Sequence, residues 1–186
     1  MNSHPTFPLQ IETDCLCIAI YEKGDGVAFF RILQENAAYL EDEMFEVEAL
    51  KSVQDAEFYV EEMITSWHST KRFVPKVVDK ATGEMIGQLW LESHWEKDLF
   101  EVGYFIVEKK QGLGLVTEAI NKTIEILFAE LHVESLEIHT KETNTRSVRL
   151  AERCGFRFSH RVKDGSQTKT GETVDMLHFQ LNRDRD

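Results

Sequence analysis

The sequence predicts an α/β domain, a mixed and mostly antiparallel sheet flanked by helices. Three observations lead there. Segments of alternating apolar residues are interleaved with segments of helical apolar spacing, in the order β-α-α-β-β-β-α-β-α-β-β. One β-rich strand, Leu99 to Val107, runs through a short basic loop with two glycines directly into an amphipathic helix. The chain has 186 residues, of which 42% are hydrophobic, enough for one domain with a proper core.

Taken in order, Asp14 to Tyr21 alternates as a first strand. Lys23-Gly24-Asp25-Gly26 is a turn, and Asp25 is placed to cap the next helix. That helix carries Val27, Phe30, Leu33, Ala37, Leu40 and Met44 near helical spacing. Ser52 to Asp55 restarts the pattern, and Ala56, Val60, Met63, Ile64 and Trp67 make a second amphipathic helix. Phe73 to Asp79 reads as a strand whose Pro75 demands an edge position or a bulge. Asp79 to Glu84 is a hairpin turn into a strand from Met85 to Ser93. After the central strand, the helix presents Val116, Ile120, Ile124, Leu127, Phe128 and Leu131 on one face. Val133 to Thr140 is a strand. Asn144 caps a short helix that ends at Gly155, and Phe156 to Lys163 is the next strand. A polar loop, Asp164 to Glu172, leads to the last strand, with Leu177, Phe179 and Leu181 on one side.

The loop Lys109-Lys110-Gln111-Gly112-Leu113-Gly114 sits where a helix begins. There, unpaired backbone N–H groups and the helix dipole favour an anion. It carries no Gly-Lys-Ser/Thr, so it is not a nucleotide P-loop, and it lacks the third glycine of the dinucleotide fingerprint. An ordinary strand-to-helix turn is the alternative that the loop alone leaves open.

Charge and composition narrow the partners. The formal net charge is −12, and between Glu35 and Glu62 ten acids stand against one base, Lys51. That balance excludes nucleic acid as an expected partner. It reads either as a solvated surface or as an acidic rim that attracts a cationic substrate. No apolar run is long enough for a membrane span, and the N-terminus lacks the pattern of a signal peptide. Cys15, Cys17 and Cys154 form neither a disulfide framework nor a zinc spacing. No two histidines stand at a ligand spacing such as His-x-x-x-His, so no metal is expected. A reducing cytoplasmic setting, as monomer or homodimer, is the expectation.

Gln111, Gly112 and Gly114 match the acetyl-coenzyme A loop Gln/Arg-x-x-Gly-x-Gly/Ala, with Val116 at its sixth position. The chain therefore resembles the GCN5-related N-acetyltransferases (GNAT). Glu101-Val102-Gly103-Tyr104-Phe105-Ile106 is similar to a strand of the RimJ/RimL ribosomal-protein N-terminal acetyltransferases. Asn144-Thr145-Arg146-Ser147, the Gly155-Phe156 that follows, and Val174-Asp175 are similar to further motifs of that group. The likeness runs from about Asp14 to Leu181 within a single domain of residues 1–186.

The resemblance implies an acetyl-coenzyme A-dependent N-acetyltransferase in which an amine attacks the thioester directly. Its acceptor would be a protein N-terminal amine; a small polyamine or antibiotic amine is the alternative, as is a coenzyme A-binding module without catalysis. It implies that the backbone of Phe105, Ile106 and Val107 pairs with the pantetheine arm. The amides of Gly112, Leu113, Gly114, Leu115, Val116 and Thr117, beside Gln111, would hold the pyrophosphate. Asn144 and Ser147 would touch the arm, with Ser147 protonating the departing thiolate, and Arg153 would reach the 3′-phosphate. A plain N-cap for Asn144, a backbone-bonded hydroxyl for Ser147 and a solvated basic face for Arg153 stay open. For the general base, Glu101 on the central strand comes first and Glu92 second. The group often carries Glu-Gly after Gly-Phe; here Phe158-Ser159-His160-Arg161 stands there, which brings in His160 as a substitute.

Overall fold

The computed structural model describes residues 4–40, 49–168 and 170–183. Nine strands form one sheet: β1 Gln10–Glu12, β2 Leu16–Ala19, β3 Arg72–Phe73, β4 Lys76–Asp79, β5 Glu84–His94, β6 Leu99–Ile106, β7 Ser135–Lys141, β8 Arg157–Gln167 and β9 Thr173–Asn182. The helices are α1 Gly26–Glu35, α2 Ala37–Leu40, α3 Val53–His68, α4 Leu115–Ala129 and α5 Thr145–Arg153. The sheet runs β1-β2-β4-β5-β6-β7-β9-β8, with β3 also on β5. Every pairing is antiparallel except β6 with β7. The α/β class and the mostly antiparallel sheet are as the sequence predicts. Among the described residues no helix is long and apolar enough to cross a membrane.

Helices cover both faces of the sheet. On one face α1 and α3 pack together through stacked Phe29 and Tyr59, and Phe29 reaches Phe105 of β6. Between them lies a buried polar chain, in which Tyr21 Oη donates to Gln88 Oε1 (2.5 Å) and Gln88 Nε2 donates to Tyr59 Oη (3.0 Å). A buried amide is tolerated there because both of its ends are hydrogen-bonded. On the other face, Leu115 and Ala119 of α4 lie against Leu89 and Ile106.

Several local expectations change. The strand expected over Phe73 to Asp79 is divided at Val74-Pro75 into β3 and β4, both paired with β5. Pro75 has no N–H to give, and its carbonyl still accepts from Leu89 N (3.0 Å). Its strand is interior, between β2 and β5, and a bulge falls at Val77/Val78. Asp25 does not cap α1 with its side chain; its carboxylate accepts from Glu22 N (2.7 Å) and Lys76 Nζ (2.6 Å) instead. The first long helix breaks at Asn36, whose amide donates to Ile32 O and accepts from Glu108 N. Met44 lies outside the described residues. β8 extends to Gln167, into the expected loop, through an irregularity around Asp164 (φ 52°). The Asn144 cap and the Gly155 stop (φ 87°) are as expected.

Asp79, at the end of β4, holds the segment that follows β6. Its carboxylate receives Lys110 Nζ (2.5 Å) and Ala81 N (2.8 Å). The Lys110 ammonium, then the Ala81 N–H, keep its carboxyl below the usual carboxylate range. A carboxyl lowered by folding adds stability above its unfolded pKa, and that stability is lost as the pH falls through the folded value. Asp79→Asn should therefore lower the Tm at neutral pH, and the gap from wild type should close as the pH falls through the Asp79 titration. Thermal melts of both proteins across that pH range check this.

Candidate active site

The site begins where two strands part. β6 and β7 pair in parallel only at Leu99–Ser135, Phe100–Leu136 and Glu101–Glu137. Beyond those pairs a cleft of about 1480 Å³ opens, walled by the rest of β6 and β7, the start of α4, and α5. On its other side β6 is fully laddered with β5. Val107 N donates to Ile86 O (2.8 Å), and a Cβ on Gly87 would lie 2.2 Å from Phe105 O, so both residues turn their backbone to β5. Alternation then turns the backbone groups of Val102, Tyr104 and Ile106 toward the gap. Of the three residues expected to pair with a pantetheine arm, Ile106 faces the gap, whereas Phe105 and Val107 are engaged by the sheet. Strand periodicity alone does not reveal which neighbour takes a given amide.

The loop after β6 is an anion cradle. Gly112 (φ 72°) and Gly114 (φ 82°) are both left-handed, and a Cβ on either would meet no atom within 4 Å. Among the described residues, no amide from Gly112 to Thr117 donates to another group, and the first bond of α4 is Glu118 N to Gly114 O (3.0 Å). Gly114 is the N-cap and offers no side chain to those amides. Arg146 donates to Gln111 Oε1, joining the loop to α5. Gln111 Nε2 is the one buried side-chain polar atom without a hydrogen-bond partner among the described residues. An unpaired buried donor beside unpaired amides suits an acceptor-rich ligand. Arg149 and Arg153 line the same cleft, and Asn144 accepts from Ser147 N (3.1 Å).

Two hydroxyls, that of Tyr104 on β6 and that of Ser147 on α5, line the cleft together. Ser147 is 8% exposed, and its hydroxyl lies beside that of Tyr104, which burial pushes up to about 12. Tyr104 therefore stays protonated through the neutral range. Sequence spacing does not single it out, because only the fold brings α5 to β6. Cys154, buried at 7% exposure, packs in the core, and burial pushes its thiol up.

The α1/α3 side of the sheet carries the carboxylates. Glu92 and Glu101 are direct cross-strand partners, and Glu101 is in register with Glu137. Arg72 Nε lies 2.5 Å from Glu92 Oε2, and His139 Nδ1 lies 3.5 Å from Glu101 Oε1. Glu92 and Glu101 both line the cleft. His160 does not; it is exposed and stacks on His178. Burial, then the neighbouring His139 and His160, lower the His178 pKa. Five of the ten acids between Glu35 and Glu62 fall within the described residues. Glu35, Asp55, Glu57, Glu61 and Glu62 do not line the cleft, and Glu41, Asp42, Glu43, Glu46 and Glu48 lie outside the described residues.

Residues 16–157 match the family model described as an acetyltransferase (GNAT) domain. The chain belongs to the GNAT family. It is 27% identical over 106 residues to p20 of Bacillus licheniformis, whose name calls it an uncharacterized N-acetyltransferase. That match spans 56% of this chain and 59% of p20. It is 31% identical over 81 residues, 44% of each chain, to YdaF of Bacillus subtilis (strain 168), whose name is "Putative ribosomal N-acetyltransferase". The fold superposes on RimL, the ribosomal L7/L12 α-N-protein acetyltransferase solved with coenzyme A. There the TM-score is 0.87 at 17% identity, over 96% of this chain and 98% of that one, a likeness of fold.

The GNAT cosubstrate is acetyl-coenzyme A, and the cradle of this GNAT chain fits its diphosphate. The open side of both glycines, the undonated amides and the orphaned Gln111 amide all lie at one helix start. Gly114→Trp fills that space and strains a left-handed position. It should weaken coenzyme A binding by at least about tenfold, read by calorimetry on two proteins with matched melting curves. Equal affinity would move the cosubstrate elsewhere.

Proposed function

We propose that the protein is an acetyl-coenzyme A-dependent N-acetyltransferase whose acceptor is a protein N-terminal amine. The observation that carries the reading is the parting of β6 from β7. It joins an anion cradle at the start of α4 to the carboxylates Glu92 and Glu101 through one continuous cleft. Membership of the GNAT family supports the reaction. The ribosomal N-acetyltransferase names of YdaF and RimL support the acceptor.

Acetyl-coenzyme A supplies the acetyl group as an activated thioester. The amides of Gly112 to Thr117, with Gln111 Nε2, hold the diphosphate, and Arg153 takes the outer phosphate. The gap-facing backbone of Tyr104 and Ile106 pairs with the pantetheine arm as an added strand would. Asn144 fixes the first turn of α5 and with it Ser147. The carboxylate of Glu101 receives the proton of the acceptor ammonium, with His139 beside it to hold its orientation. Tyr104 and Ser147 keep a proton within the cleft for the departing sulfur, since a phenol at about 12 is fully protonated at neutral pH.

A second reading has its own observation. Glu92, Glu101 and Glu137 stand in register on three adjacent strands, so they repeat at about the 4.8 Å interval of a sheet. Spaced carboxylates are what a polyamine needs. Thioester consumption with N-terminal peptides and with polyamines separates the two. The proposal expects higher kcat/KM for peptides. Higher kcat/KM for polyamines would establish the second reading, and no consumption with any amine would leave a binding module. Glu101→Gln should lower kcat by about 10²-fold with coenzyme A affinity unchanged. A wild-type pH–rate profile in that variant would place the base elsewhere and make Glu92 the next substitution.

A further inference from the structure

Two residues along from the carboxylate row, a row of imidazoles crosses the same face of the sheet. His139 of β7 is the direct partner of His178 of β9, and His178 is the direct partner of His160 of β8. The ring centroids of His139 and His178 are 3.9 Å apart, and those of His160 and His178 are 4.2 Å apart. Three of the chain's seven histidines thus meet on three strands. Glu137, one step back along β7, brings its Oε2 to 3.0 Å from His139 Nε2. The ligand atoms of Glu137, His139 and His178 all lie within 4.8 Å of one another.

The donor set has a definite chemistry. Two imidazole nitrogens and a carboxylate oxygen suit a borderline divalent transition ion, whereas magnesium and calcium prefer oxygen alone. The orientation of His139 is a second, independent observation. Its Nε2 faces Glu137, while its Nδ1 lies 3.5 Å from Glu101 Oε1. A metal-bound histidine characteristically turns its other ring nitrogen to a carboxylate, which fixes the tautomer and strengthens the ligand. Glu137 and His139 keep about a quarter of their side chains exposed, at 23% and 24%, and His139 lines the cleft, so an ion has a path of entry. His160 stacks on the far side of His178 and holds that ring in the row.

We propose that Glu137, His139 and His178 bind a zinc-class divalent ion on the wall of the cleft, with Glu101 as the outer partner of His139. The site is separate from the acetyl-coenzyme A cradle and does not require it to be filled. It escapes a reading of spacing because its ligands come from two strands about forty residues apart in sequence and meet only through register.

The test uses the full chain, stripped with a chelator and titrated with zinc chloride by calorimetry and with cobalt(II) by absorption spectroscopy. The proposal expects one ion per chain with a Kd of about 1 μM or tighter, and cobalt bands of a nitrogen- and oxygen-ligated ion. His178→Ala and Glu137→Gln should each weaken binding by at least about tenfold, while His68→Ala, at the end of α3, should leave it unchanged. Melting curves without metal confirm that the variants fold, and the near-isosteric Glu137→Gln gives the result alone if His178→Ala does not. Binding that never saturates, or wild-type affinity in the folded variants, overturns the proposal.

Discussion

The structure depends on one parallel pairing that stops early. After Glu101–Glu137 the two central strands separate, and the backbone of β6 beyond that point is laddered on only one side. Unpaired strand groups are costly unless water or a ligand meets them. The parting has to be enforced, since two strands left to themselves would continue to pair. The elements at the mouth of the gap are α4 and α5. Tyr104 turns from β6 to Ser147 on α5, and α4 starts from the loop between them.

The loop that follows β6 carries free amides, so it has to be held by everything except those amides. Three attachments do this. Asn36, at the break after α1, accepts from Glu108 N. Asp79, at the end of β4, holds Lys110. Arg146, in the first turn of α5, holds Gln111. At the break after α1 the same Asn36 amide also donates to Ile32 O, so both of its polar ends are satisfied. Glu118, in the first turn of α4, accepts from Cys15 N (2.7 Å) and ties the helix start to the β1–β2 turn.

Charge is divided across the cleft. Backbone dipoles and the arginines of α5 gather on the cradle side. Glu92 and Glu101 stand on the sheet face beneath α1 and α3. Among the described acids of the Glu35–Glu62 segment, Asp55 caps locally with Lys51 N (3.0 Å), Glu57 holds Gly24 N (3.1 Å) and Glu61 faces Lys23 (3.8 Å). Glu92 and Glu101 owe their place in the cleft to the register of β5 on β6, which a count of charges does not contain.

By itself the sequence determined the α/β class, the strand–loop–helix unit with its glycines at Gly112 and Gly114, the Asn144 cap, the Gly155 stop and the family resemblance. Those are local signals. A left-handed φ favours glycine, a cap needs an oxygen three residues ahead of an amide, and apolar spacing repeats within one element. Tertiary structure alone decided that Ile106 and not Val107 turns its backbone to the gap, that Tyr104 meets Ser147, that β4 is interior, and that His139, His178 and Glu137 converge. Each of these rests on which strand lies beside which, and in what register. Register is set by contacts between segments far apart in the chain, and no period within a single segment records it.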